Sequence, residues 1–110
     1  MASPFDDDHM KAAGKLNEGS EEMMSYYKDW KESIADEAVF DDKMRELLGL
    51  AAAAATQCQF CVHTHGQKAI THGATKEEIA HVIQIASQVR AGATMSYGLE
   101  SLEYIEEDED

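Results

Sequence analysis

The sequence has few basic residues and no long apolar run. It carries 9 Lys and Arg against 22 Asp and Glu, which gives a formal net charge of −13. Nucleic acids and anionic membrane surfaces attract basic protein faces, so neither is expected as a partner. A membrane-spanning helix requires roughly 18 consecutive apolar residues, and every apolar run here is much shorter. The composition therefore predicts a chain that binds no nucleic acid and no membrane.

The first ten residues lack the features of a secretory signal. They contain no basic n-region and no apolar h-region, so we expect a cytoplasmic location. The cytoplasm keeps thiols reduced, and the chain has only 2 cysteines, Cys58 and Cys61. A bridge across so short a loop adds little stability. The pair is therefore expected to serve redox chemistry or metal binding rather than to staple the fold.

Proline and strand signals are also scarce. The single proline lies at position 4, and the sequence shows neither period-2 alternation nor a hairpin turn pair. Apolar residues instead recur at helical spacing, which predicts an all-α, compact bundle of about five helices. Residues 1–19 are predicted to form a flexible arm, residues 20–105 a single helical domain, and residues 106–110 an acidic, disordered tail.

Two helices are predicted in the first half of the domain. Ser20 is a suitable N-cap for the first of them. Its apolar residues share one face and are expected in the core: Met23, Tyr27, Trp30 and Ile34. The aromatic residues Tyr26, Tyr27 and Trp30 are expected in the core or at a subunit interface. The second helix covers about residues 41–56 and is rich in alanine. Because alanine lets another helix approach closely, this helix should pack on more than one side.

Three helix boundaries are predicted in the second half of the domain. Gly73 is suited to the position just after a helix end. Thr75 and Glu78 have the spacing of a capping box, in which each side chain accepts a hydrogen bond from the other residue's backbone. The helix that starts there is predicted to break at Gly92, before a last helix over about residues 94–104.

The residues with the richest chemistry lie around the two cysteines. Helical spacing places Cys58, Cys61 and His65 in one narrow sector, so two sulfurs and an imidazole lie along one face over two turns. Cys58 is expected at or just before the helix start, where free backbone N–H groups favour a thiolate. His65 could take the proton of Cys61. Glu46, on the preceding helix, is a candidate to orient that imidazole.

The spacing leaves two kinds of chemistry open. A cysteine pair with a histidine in helical register favours redox chemistry. Zinc could also be bound, by Cys58, Cys61, His65 and either Glu46 or His63, although His63 points to another side of the helix and no second cysteine pair is present. A thioredoxin-like arrangement is not expected, because its cysteine pair follows a strand.

A known family combines these features. The spacing Glu46-x(11)-Cys58-x-x-Cys61-x-x-x-His65, followed by the turn from Gly73 to Ile79, resembles the carboxymuconolactone decarboxylase family and most closely its alkylhydroperoxidase D branch. The resemblance covers most of the predicted domain. It implies packed helices, subunits assembled as trimers or hexamers, and a cysteine pair that reduces a peroxide and cycles through a disulfide.

The same resemblance implies a role for each site residue. Cys61 would be the peroxidatic thiol, Cys58 the resolving thiol, and His65 a proton relay on which Glu46 acts. No cofactor is implied, and a hydroperoxide would be the substrate. A dihydrolipoyl protein or a thioredoxin-like protein would supply the reducing dithiol. One departure is Phe60, which stands where the peroxidase branch commonly has histidine.

Two other functions are kept as alternatives. The first is a carboxymuconolactone decarboxylase-like lyase acting on a small carboxylated ring compound, which would not need the cysteines. The second is a non-enzymatic oligomer that senses redox state or binds zinc through the cysteine pair. Thiol counting during a peroxide titration would separate the peroxidase from the lyase. Zinc analysis would identify the non-enzymatic oligomer.

Overall fold

The computed structural model describes residues 7–37 and 39–109 of the chain. The described part contains helices and no strand, which confirms the predicted all-α class. Five helices follow one another along the described chain: α1 (Asp7–Gly19), α2 (Glu21–Asp36), α3 (Asp42–Ala55), α4 (Gln59–Thr71) and α5 (Lys76–Glu109). None of the described helices combines the length and the apolar character needed to cross a membrane.

The core lies where α3 packs against both α4 and α5. Asp41 is the N-cap of α3, and its side chain accepts a hydrogen bond from the backbone N–H of Met44 at 2.8 Å. Its alanines allow close packing on two sides, as predicted. The buried apolar residues come from all three helices: Leu47, Leu50, Ala53, Ala69 and Ala86. Leu50 is fully buried, which stabilises the fold by about 1.5–3 kcal/mol.

α1 and α2 contact each other and contribute no described buried residue to this core. The sequence did not predict α1, because residues 1–19 show no apolar periodicity, and yet residues from Asp7 onward are helical. In α2 the helix is present as predicted, beginning after Ser20. Its apolar face is not in the core of the chain: Met23, Tyr27, Trp30 and Ile34 are each at least 50% exposed. The prediction that this face lies in the core is therefore wrong, since the core forms between α3, α4 and α5.

α5 is longer than predicted, because it runs without interruption from Lys76 to Glu109. The predicted break at Gly92 is wrong: a glycine inside a helix costs about 1 kcal/mol relative to alanine, which a long helix tolerates. The backbone of residues 106–109 is also helical, although the sequence favoured a disordered tail there. Domain limits at residues 20 and 105 stay predictions.

Candidate active site

The junction between α3 and α4 fixes the position of the cysteines. α3 ends at Ala55 with Thr56 as its C-cap, and Gln57 adopts a left-handed backbone with φ of 60°. The N–H of Gln57 donates to the carbonyl of Ala54 at 3.2 Å, and the N–H of Cys58 donates to that of Ala53 at 2.9 Å. These two bonds form a Schellman motif, which turns the chain sharply at a helix end. Cys58 therefore lies directly after this turn, just before the first residue of α4.

Cys58 is the N-cap of α4, at the position that the sequence predicted. Its sulfur accepts a hydrogen bond from the backbone N–H of Cys61 at 3.3 Å. The two sulfurs are joined in a disulfide, with the Cα atoms 5.2 Å apart. Both residues are half-buried, so reagents can reach them. After reduction, the N–H groups and the positive end of the helix dipole would favour a thiolate here.

Glu46 and His65 meet between α3 and α4. The Nδ1 atom of His65 lies 2.7 Å from Oε2 of Glu46, across a separation of 19 residues. Glu46 is buried, with 7% of its surface exposed, and its other oxygen, Oε1, lies 3.7 Å from Nη2 of Arg45. Since a carboxylate on Nδ1 fixes the tautomer and the orientation of an imidazole, Nε2 is the ring nitrogen left for proton exchange.

Two residues of this site were not found by sequence reasoning. Arg45 links Glu46 to the surface, because its Nη1 atom donates to Oδ1 of Asp42 at 2.9 Å. Gly49 faces His65 so closely that a Cβ atom there would lie 2.7 Å from Nδ1 of the imidazole. The only signal for Gly49 in the sequence is a glycine that interrupts an otherwise strongly helix-forming segment.

The sequence model of the carboxymuconolactone decarboxylase family matches residues 21–104. The chain belongs to this family. The alkylhydroperoxidase D branch, which the cysteine and histidine spacing resembles, lies within it. The family resemblance expected from the sequence is therefore confirmed.

Relatives in two bacteria support membership of the carboxymuconolactone decarboxylase family. A Paracoccus denitrificans protein called "uncharacterized protein 4 in cox locus" is 35% identical over 74 residues, which make up 67% of this chain and 66% of that protein. An uncharacterized protein from Haemophilus influenzae is 34% identical over 93 residues, or 84% of this chain and 82% of that one. The matched part thus spans just under two thirds of the Paracoccus protein's length.

A solved structure shows the same fold. The crystal structure of a protein from Methanobacterium thermoautotrophicum superposes with a TM-score of 0.76 and covers 82% of this chain and 98% of that one. Sequence identity is 24%, so this likeness concerns the helical architecture alone.

The remaining candidates of the sequence analysis fall outside the Glu46–His65 pair. His63 is exposed on α4. Across the described part of the chain, no group of three or more His, Cys, Asp or Glu side chains is arranged to hold a metal ion.

An apolar cavity of about 300 Å³ lies between α3 and α5. Its lining is mostly aliphatic, with one carboxylate and one imidazole: Met44, Leu47, Leu48, Ala51, Glu78, His81, Val82 and Ile85. Met44, Leu48 and Ala51 lie on the side of α3 opposite Glu46. The cavity therefore faces away from the imidazole that Glu46 holds.

Proposed function

We propose that this member of the carboxymuconolactone decarboxylase family is a thiol-dependent hydroperoxide reductase. The observation that carries the proposal is the Cys58–Cys61 disulfide at the start of α4. A histidine held by a buried carboxylate lies one turn further along the same helix. A cysteine pair at a helix N-terminus combines a stabilised thiolate with a partner close enough to form a disulfide.

In the proposed reaction, the Cys61 thiolate attacks the distal oxygen of a hydroperoxide. A sulfur–oxygen bond forms, the oxygen–oxygen bond breaks, and the departing alkoxide takes a proton to leave as an alcohol. The Cys58 thiolate then attacks the sulfur of the resulting sulfenic acid, which forms the disulfide and releases water. The two thiols supply the two electrons that the peroxide receives.

His65 and Glu46 serve the proton steps of this cycle. Nδ1 of His65 is held by Glu46 at 2.7 Å, so the ring presents Nε2 for taking a thiol proton and returning it to the leaving oxygen. Glu46 acts through His65 and is a positioning residue. Neither role requires a cofactor.

An external dithiol completes the cycle by thiol–disulfide exchange. A dihydrolipoyl protein or a thioredoxin-like protein has the required chemistry, and such reductants operate in the cytoplasm. We therefore propose a cytoplasmic location. The acidic surface, with a net charge of −13, would favour a reductant that presents a neutral or basic face.

A peroxide titration of the reduced protein tests the proposal. We expect both thiols to be lost for each peroxide consumed, and dihydrolipoamide to restore them. Cys61→Ser should abolish turnover. Survival of both thiols in excess peroxide would contradict the proposal. Conversion of a small carboxylated ring compound by fully alkylated protein would favour the lyase alternative.

We also propose that the chain assembles as a homo-oligomer, a trimer or a hexamer. The apolar residues of α2 stay exposed in the single chain, where Met23, Tyr27, Trp30 and Ile34 are each at least 50% exposed. Tyr27 and Trp30, whose rings are 6.4 Å apart, lie on the exposed apolar face of α2. A second copy of the chain is the proposed occupant of that face.

Sedimentation velocity tests the assembly. Trp30→Glu places a charge on the apolar face of α2 and should convert the oligomer to monomers. Ser25→Glu adds the same charge on the opposite face of that helix and should leave the oligomer intact. A monomeric wild-type protein, or equal behaviour of the two variants, would rule out this interface.

A further inference from the structure

Gly49 lies where α3 passes closest to the imidazole of His65. It is half-buried and is placed one turn after Glu46 on the same side of the helix. A Cβ atom at this position would lie 2.7 Å from Nδ1, 2.8 Å from Cε1 and 3.0 Å from Cγ of His65. Cβ atoms in proteins essentially never approach other heavy atoms this closely, so any residue other than glycine would force the ring to move.

Other described helix glycines do not face this restriction. A Cβ atom would meet nothing within 4 Å at any of four of them: Gly14, Gly19, Gly66 and Gly98. At Gly92 it would meet only the end of the Gln88 side chain, at 3.9 Å. Gly49 also interrupts a segment in which Ala51 to Ala55 are the best helix formers available. Helix stability therefore gives no reason for a glycine at position 49.

We infer that Gly49 is a positioning residue that makes room for His65 against the backbone of α3. The inference rests on the proposed proton role of His65. The atom nearest to the added Cβ would be Nδ1, which is also the atom that bonds Glu46. Moving the ring away from α3 thus disturbs the one contact that sets its orientation. Glu46 would keep only the 3.7 Å contact between its Oε1 and Arg45.

The chain offers a matched control for a Gly49→Ala test. Gly66→Ala makes the same chemical change in the residue next to His65, where the added Cβ meets nothing within 4 Å. Both variants are studied in the disulfide form, by ¹⁵N NMR of the imidazole at fixed pH. We expect Gly49→Ala to shift the His65 nitrogen resonances and Gly66→Ala to leave them at the wild-type positions. Unchanged resonances in folded Gly49→Ala would overturn the inference.

A double-mutant cycle keeps the inference testable if Gly49→Ala folds poorly. Removing the ring by His65→Ala removes the clash, and alanine is then the better helix residue. We expect Gly49→Ala to lower Tm in the wild-type background and to raise it by about 4 °C in the His65→Ala background. A change in Tm of the same sign in both backgrounds would contradict a role for Gly49 in positioning the ring.

Enzyme kinetics separate this inference from the proposed function. With a hydroperoxide that the wild-type protein reduces, Gly49→Ala should lower kcat by about 10- to 100-fold, with KM little changed. Gly66→Ala should match the wild type. If the wild-type protein reduces no hydroperoxide and the NMR shifts still occur, the proposed function fails and the seating of His65 by Gly49 holds.

Discussion

The α3–α4 and α4–α5 junctions share a backbone design but use different residues. Each ends a helix with a Schellman motif and a residue in the left-handed region: Gln57 with φ of 60° in the first junction and Gly73 with φ of 97° in the second. In the second, the N–H of Gly73 donates to the carbonyl of Ile70 and that of Ala74 to Ala69, both at 2.9 Å. Glycine adopts this conformation without strain, whereas a residue with a Cβ does not.

The N-caps that follow these two turns also differ, and again the second junction has the residues that helix ends favour. In the second junction, Thr75 Oγ1 accepts from the N–H of Glu78 at 3.1 Å, and Glu78 Oε1 accepts from the N–H of Thr75 at 2.9 Å. In the first, the only described side-chain cap is the sulfur of Cys58, a weak acceptor. The first junction departs from such residues where the cysteines lie, as expected of a functional site.

Cys58→Ser should separate capping from chemistry at the first junction and have the largest effect. Serine is a good N-cap, so the free energy of unfolding of the reduced variant should lie within about 1 kcal/mol of that of the reduced wild type. Peroxide turnover should be lost, because Cys61 sulfenic acid has no resolving thiol. Dimedone labelling of Cys61 with peroxide, together with thermal melts, checks both parts. Retained turnover would remove Cys58 from the proposed cycle.

Gly73→Ala should show the cost of a Cβ atom in the second junction. Alanine in the left-handed region should destabilise the protein by about 1–2 kcal/mol, while the thiol titration stays unchanged. Urea unfolding measures the loss. Gly98→Ala, in the interior of α5 where a Cβ meets nothing within 4 Å, is the control and should be neutral or stabilising. Equal effects of the two changes would mean that the backbone at Gly73 is not restrictive.

The second junction could be predicted from the sequence because its signals are local. Gly73, Thr75 and Glu78 are the residue types that such turns and caps prefer, and the structure confirms all three roles. At the first junction, Gln57 carries no such signal, so Cys58 could be placed only at or just before the start of the helix. The structure begins the helix at Gln59, with Cys58 as its cap.

Features that depend on distant parts of the chain were harder to predict. The contact between Glu46 and His65 joins residues 19 apart, and local periodicity could suggest it but not establish it. The role of Gly49 depends on where α4 places its histidine. The apolar residues of α2 were predicted to share one face, but their predicted place in the core was wrong, because what a helix face packs against depends on tertiary contacts.

Gln57→Gly places glycine at the left-handed position of the first junction, where the second junction has Gly73. Relief of the left-handed strain, offset by the greater freedom of glycine in the unfolded chain, should stabilise the protein by roughly 0.5–1 kcal/mol. The midpoint of urea unfolding of the oxidised protein measures this gain. Gln59→Gly, inside the first turn of α4, should instead destabilise. A loss of stability in Gln57→Gly would show that the glutamine side chain contributes contacts that outweigh its backbone strain.

The smallest expected effect is the pH dependence of the cap in the second junction. The backbone N–H of Thr75 and then Lys43, whose Nζ lies 2.9 Å from Glu78, lower the pKa of Glu78 below its ordinary value of 4.5. A lowered pKa in the folded state means that the ionised carboxylate adds stability above pH 4.5. That stability is lost as pH falls through the lowered value.

Glu78→Gln keeps a capping oxygen but removes the charge. Its Tm should therefore lie slightly below that of the wild type near pH 7, and the difference should shrink as the pH falls below 4.5. Added salt should also reduce it, because the pair with Lys43 lies at the surface. Glu77→Gln, at the exposed neighbouring position, controls for general loss of negative charge. A Tm difference that persists unchanged in strong acid would show that Glu78 stabilises α5 through packing rather than through its charge.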